Sequence, residues 1–186
     1  SAGAAYEIFP SAGYAMHGDA STLAAQRTMA KCFPNVWHWG TPYLPGRTIS
    51  AAFENNVPAI YLEFQGKGGV EESDLEILRA GFENLAKVLG FLEGEAKLHE
   101  ARGVRESTLG EEGHLQVENP SPCDGIVTHI VRAGARVSEG EIIAVVQPLD
   151  GAPAHEISAE KNGRAIMVRR FRAVKKGESL AAIIDF

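Results

Sequence analysis

No stretch of this chain approaches the roughly 20 consecutive apolar residues of a membrane-spanning helix, and no basic, apolar and small-residue signal opens it. Both absences point to a cytoplasmic protein with no membrane partner. Cysteine is scarce: Cys32 and Cys123 lie far apart with no Cys-x-x-Cys or Cys/His spacing, which argues against a zinc ribbon, a redox pair or a disulfide framework. The histidines His17, His38, His99, His114, His129 and His155 are scattered, and neither His-x-x-Glu nor His-x-x-x-His occurs, so no local metal-ligand pair is present. Initiator methionine is missing too, and Ser1-Ala2-Gly3-Ala4-Ala5 runs straight into Tyr6-Glu7-Ile8-Phe9-Pro10 as though cut inside an element. The expectation is a fragment of a longer protein.

What is present is ordinary globular material: 186 residues, 45% apolar, 23% charged, net charge −6. Charge is uneven, with 6 Lys/Arg against 11 Asp/Glu in residues 1–95, 3 against 5 in 96–118, and 9 against 8 in 119–186. The basic group Arg169, Arg170, Arg172, Lys175 and Lys176 has only Phe171 interleaved, so it reads as a solvated strand face and not as a nucleic-acid site.

The first part alternates helix and strand. Asp19 or Ser21 can cap a helix over residues 22–33, with Pro34-Asn35 as its stop. Val36-Trp37-His38-Trp39 reads as a strand, in which His38 is a core or edge histidine more readily than a ligand. After a loop with Pro42 and Pro45, Thr48 can cap a short helix ending at Asn55-Asn56. Ser73-Asp74-Leu75-Glu76 has the pattern of a capping box, opening a long helix whose stripe Leu75, Leu78, Phe82, Leu85, Leu89 and Leu92 is expected to be core and which Gly94 is expected to end. Residues 96–118 are polar and turn-rich, either a linker or edge strands around 97–105 and 114–118, and the domain boundary is expected there.

Residues 125–146 return as 163–184, each copy a strand, a turn, a Val-x-x-Gly-Glu turn and a second strand. Units this small must pack on one another, and the pattern resembles the biotinyl/lipoyl-like barrel-sandwich hybrid. The connection Gln147-Pro148-Leu149-Asp150-Gly151-Ala152-Pro153 carries no lysine, however; Lys161 lies beyond it. A structural module is therefore the default over a swinging-arm carrier.

The most informative run is Val57-Pro58-Ala59-Ile60-Tyr61-Leu62-Glu63-Phe64-Gln65-Gly66-Lys67-Gly68-Gly69, an apolar strand with one carboxylate at its end. Burying a glutamate is costly unless it is paired or used. In an open α/β sheet ligands sit beyond the carboxyl ends of strands, so Glu63 is the candidate catalytic residue; the competing reading is a buried partner for Arg47 or Lys67. Arg47, at a loop-to-helix start, can take a substrate carboxylate bidentately or clamp the chain itself, and Tyr43 stands four residues before it. His17 is a further residue able to line the same cleft.

Arg47-Thr48-Ile49-Ser50, the Glu63 strand with its glycine loop, and Gly90-Phe91-Leu92-Glu93-Gly94 together resemble the C-terminal half of the succinylglutamate desuccinylase/aspartoacylase family, zinc carboxypeptidase-like enzymes, and the two-copy module at 119–186 fits that family's small domain. The resemblance implies an α/β sheet, part of a carboxypeptidase-like catalytic domain over 1–95, followed by a small all-β domain over 119–186. It implies zinc held by a His-x-x-Glu pair and a later histidine. Ser1-Ala2-Gly3 looks like the segment just after that histidine, so all ligands are expected upstream of Ser1 and none in this chain. Glu63 then matches the general base, and Arg47 with Tyr43 matches the binding of the substrate carboxylate. One departure stands out: aspartoacylases place a small-domain tyrosine at the substrate, and no tyrosine follows Tyr61 here. N-acetyl-aspartate becomes a poorer candidate than other small N-acyl amino acids, including acylated diamino acids of osmolyte catabolism.

The expected function is a zinc-dependent deacylase of a small N-acylated amino acid, inactive as the isolated chain, with a homo-oligomer compatible and no nucleic-acid partner. The rivals are a carrier or binding module modified at Lys161 and a metal-free assembly domain.

Overall fold

The computed structural model describes residues 4–16, 18–66, 68–107 and 118–184. In chain order the elements are β1 (Tyr6–Ile8), β2 (Ser11–Ala15), α1 (Ala20–Lys31), β3 (Trp37–Thr41), α2 (Thr48–Glu54), β4 (Ile60–Glu63), α3 (Glu72–Val88) and β5 (Val104–Glu106). They continue as β6 (Gly125–Ile130), β7 (Arg136–Val137), β8 (Ile142–Pro148), β9 (His155–Ser158), β10 (Gly163–Arg169), β11 (Ala173–Val174) and β12 (Ala181–Ile184). The result is a mixed α/β chain with three four-stranded sheets. It divides into two units, an α/β unit of residues 10–64 and 70–113 and a β unit of residues 1–9, 65–69 and 114–186.

The sheet of the α/β unit has the order β4-β2-β3-β5, with β2, β3 and β5 parallel and β4 antiparallel to β2. Asp19 starts α1: its carboxylate accepts from the Ser21 hydroxyl at 2.6 Å and from the Thr22 backbone N–H at 2.8 Å, and these hydrogen bonds hold its carboxyl down at about 2. From β2, Ala12 and Tyr14 face a core with Ala30, Cys32, Phe33, Val36 and Ile77, against which Ile60 and Leu62 of β4 also pack. By the two-residue alternation of strands, Ser11 and Gly13 on β2, with Tyr61 and Glu63 on β4, point to the other face. His38 is a core residue, 3% exposed, its ring edge-on to Tyr14 at 6.3 Å. Burial pushes its pKa down, with the Ala30 carbonyl acting in the opposite sense.

Helix α3 departs from its sequence pattern in three ways. Glu71, not Ser73, is the N-cap, in a reciprocal capping box with Asp74. The helix ends at a Leu89 cap before Gly90, whose φ is +76°, and Gly94 plays no part in the stop. Gly90 and Phe91 donate to the carbonyls of Lys87 and Ala86, the paired bonds of a Schellman stop, which needs a left-handed residue where glycine stands. Finally, the buried face is Asp74, Ile77, Gly81 and Asn84; of the expected stripe Leu78 and Leu85 are half-buried, Leu85 packing against the core, whereas Leu75, Phe82, Leu89 and Leu92 are 41%, 54%, 51% and 49% exposed. Gly81 is selected because a Cβ there would meet the Phe33 ring at 1.9 Å. Asn84 is tolerated because its amide donates to the Cys32 carbonyl and accepts from the Lys97 N–H. Thr48, likewise, is the first residue of α2, and Arg47 is its cap.

In the β unit the repeat folds by exchange. The short second strand of each copy pairs with the first strand of the other: β7 with β10 and β11 with β6. The equivalent glycines Gly125 and Gly163 each face a closing strand, where a Cβ would lie 2.4 Å from the Gln147 carbonyl and 2.2 Å from that of Ile184. The copies form two four-stranded sheets, β11-β6-β8-β9 and β1-β10-β12 with β7 on β10; among the described residues no closed barrel is formed. The segment from Tyr6 to Ile8 pairs with β10, so its apolar pattern serves the β unit. Arg169 is not on a solvated face: it is 8% exposed and ion-paired to Glu178 at 2.8 Å.

Candidate functional site

The register of β4 on β2 sets Glu63 opposite Ser11 and Tyr61 opposite Gly13. Because β4 runs antiparallel to β2, the carboxyl end of β4 lies beside the amino ends of β2 and β3. Glu63 thus sits at the end of its own strand, as the sequence requires, but at the starting end of the neighbouring pair.

Gly13 makes room for the site. A Cβ on it would lie 2.0 Å from Cζ of Tyr61, so the phenol rests directly on the glycine backbone. Burial pushes that phenol up to about 12; the charge of Glu63 acts in the same direction and that of Arg47 against it. Glu63 and Arg47, the sequence candidates for base and carboxylate binder, therefore both act on Tyr61. Tyr61 was not singled out by sequence reasoning. The signal available was its position two residues before Glu63 on the same strand, which gives both one face.

Arg47 caps α2 with an extended backbone and is half-buried. Tyr43, also half-buried, donates its hydroxyl to Glu54 and sets its ring 6.1 Å from that of Phe53, and the hydrogen bond to Glu54 raises its pKa. In the conformation described, Tyr43 joins the α2 side of the loop. Ser1-Ala2-Gly3, His17, Lys67, His114 and all but Glu118 of the strand expected over 114–118 lie outside the described residues. Among the described residues no group of three or more His, Cys, Asp or Glu side chains is placed to hold a metal ion. No helix among them is long and apolar enough to cross a membrane.

If Tyr61 depends on Gly13, their substitutions must couple. Gly13→Ala is expected to destabilise the chain by about 1–3 kcal/mol through overpacking, and to cost far less when Tyr61 is already alanine. Denaturant unfolding of the two single variants and the double variant measures this. Strictly additive effects would show that the two residues are not in contact.

The chain, from the α/β unit to the exchanged β repeat, is similar over nearly its whole length to several solved structures. The chain has the fold of the succinylglutamate desuccinylase/aspartoacylase family. The ectoine utilization protein EutE (DoeB) from Ruegeria pomeroyi, in its apo form, is 25% identical over 98% of this chain and 57% of its own, with a TM-score of 0.82. A succinylglutamate desuccinylase from Silicibacter sp. is 21% identical, with a TM-score of 0.83 over 98% of this chain and 55% of that one. A succinylglutamate desuccinylase/aspartoacylase from Rhodobacter sphaeroides is 19% identical, with a TM-score of 0.83 over 100% of this chain and 56% of that one. The chain thus spans little more than half the length of these relatives. Comparison with protein-family models and with curated proteins finds no match. Within this family fold, β4 with Glu63 is an edge strand of the described sheet.

Proposed function

We propose that this chain is the distal part of a zinc-dependent amidohydrolase that removes the acyl group from a small N-acylated amino acid. The observation that carries the reading is Glu63 and Tyr61 on one face of the edge strand β4, with the Arg47 charge acting on the Tyr61 phenol, in a fold shared with a protein called a desuccinylase. The likeness to an ectoine utilization protein keeps acylated diamino acids among the candidate substrates. The zinc ligands are assigned to the part of the protein outside this chain, which spans little more than half the length of its relatives. The β unit is taken as the family's small domain, a relative of the barrel-sandwich hybrids and structural in role. Lys161, half-buried at the bend before β10, is not presented as a carrier lysine would be.

Glu63 acts as the general base. Its carboxylate takes a proton from the attacking water, the water oxygen bonds to the acyl carbon, and the proton passes to the amide nitrogen as the carbon–nitrogen bond breaks. The products are a carboxylic acid and a free amine. Arg47 holds the substrate carboxylate through two parallel N–H bonds. Tyr43 can join it only by giving up its hydrogen bond to Glu54.

The test is hydrolysis and zinc content, measured on the full gene product and on the 186-residue chain with a panel of N-succinyl, N-acetyl-aspartyl and N-acetyl-diamino acid substrates. One zinc and amide hydrolysis in the long form, with neither in the short, is expected. No hydrolysis of any member by a zinc-loaded long form would overturn the assignment.

A further inference from the structure

The β unit contains a cavity of about 470 Å³ that the deacylase reading does not use, and its lining carries four arginines, Arg132, Arg169, Arg170 and Arg172, against a single acidic side chain, Glu7. We propose that this cavity binds a small organic anion bearing two or more clustered negative charges, as phosphate or carboxylate groups. The chain as a whole has a net charge of −6, so a concavity with this surplus of guanidinium groups is not a by-product of composition.

The four arginines are not equivalent. Arg169 is 8% exposed and fixed: its Nη2 donates to Glu178 at 2.8 Å and to the Ala173 carbonyl at 3.0 Å, and its guanidinium lies 5.8 Å from the centre of the Tyr6 ring. It forms a rigid wall whose charge Glu178 offsets. The other three are exposed. Arg170 reaches Glu7 at 3.3 Å, Arg172 donates to the Val127 carbonyl, and Arg132 makes no side-chain hydrogen bond or ion pair among the described residues. Setting Glu7 against Arg170 and Glu178 against Arg169 leaves Arg132 and Arg172 uncompensated, which is the charge of a dianion.

Guanidinium forks match phosphate and carboxylate oxygens in pairs, and like charges gathered at one concavity repel unless an anion joins them. Ile130 and Val168 add an apolar surface for the body of an organic ligand. The volume lies within the roughly 300–1,000 Å³ usual for small-molecule sites. Among the described residues no aromatic side chain lines the cavity, so it presents none of the stacking platforms that single-stranded nucleic acids use. The proposal stands independently of the assignment of Glu63.

Inorganic pyrophosphate and citrate, titrated separately into the intact chain by calorimetry at two salt concentrations, test it and distinguish a phosphate ligand from a carboxylate one. Saturable 1:1 binding of at least one probe is expected, weakening as salt rises. The Arg132→Gln/Arg172→Gln double variant should bind at least ten-fold more weakly while still unfolding cooperatively within a few degrees of wild type, since both side chains are exposed and only the Arg172–Val127 hydrogen bond is lost. Glu7→Gln should bind more tightly, because it removes the only acid in the lining. Absence of saturable binding by either probe, equal binding by the double variant, or binding of an oligonucleotide alone would overturn the proposal.

Discussion

Replacing Glu63 with glutamine in the full gene product is expected to lower kcat by two to four orders of magnitude while leaving KM within a few-fold. Glutamine keeps the shape of the side chain and its place opposite Ser11, so substrate contacts elsewhere are preserved. It cannot take a proton from water or return one to the departing nitrogen. Positioned general acid–base catalysis contributes about 10²–10⁴-fold, or roughly 3–5 kcal/mol of barrier. A loss confined to kcat marks an interaction made in the transition state, whereas a rise in KM alone would mark uniform binding. Turnover within ten-fold of wild type would remove Glu63 from the chemistry and leave it as a partner of Arg47 or Tyr61.

The Glu63 strand was legible in the sequence because a carboxylate ending an apolar run is locally unusual, and the repeat was legible because self-similarity is a property of sequence itself. The direction of β4 was not. Period-two alternation marks a strand without saying which neighbour it meets or how, so the position of Glu63 beside the start of β2 emerges only from pairing. Tyr61 escaped for a related reason: its support is Gly13, 48 positions away, and a glycine in a strand carries no address. Helix α3 shows the opposite failure, a strong local signal overridden by its surroundings. The leucine stripe is the more apolar face, yet only Leu78 and Leu85 of it are half-buried and the face with Gly81 and Asn84 is buried, because Gly81 admits the Phe33 ring and Asn84 satisfies two backbone groups. Apolar content alone does not decide burial when close approach and hydrogen bonding favour a different face. The assignment of residues 1–9 and 65–69 to the β unit was invisible for the same reason, since β1 is recognised only by its partner β10.

Glu106 ties the α/β unit together. Its carboxylate accepts from Arg27 at 2.8 and 2.6 Å, a bidentate pair, and from the buried Tyr14 hydroxyl at 2.6 Å, which links β5 to α1 and β2. Gly40 of β3 leaves space for it, since a Cβ there would stand 2.8 Å from Cγ of Glu106. Glu106→Gln is expected to destabilise the chain by about 2 kcal/mol at pH 7, in the range for hydrogen bonds to a charged group. The value stays below the 3–5 kcal/mol seen on breaking fully buried pairs, because the Arg27 side chain is 43% exposed and partly screened by water. The hydrogen bonds from Arg27, ahead of that from Tyr14, hold the Glu106 carboxyl below the usual carboxylate range, against the opposing effect of burial. A folded-state pKa below the unfolded value of about 4.3 makes this stabilisation fully present above that value. It is lost as pH falls through the lower folded value. Glutamine does not titrate, so the gap between wild type and variant should be widest near neutrality and close progressively below about pH 4.3. Urea unfolding of both proteins between pH 7 and pH 3 reads this directly. A gap that stays constant across the range would mean that Glu106 contributes through packing against Gly40, and its charge not at all.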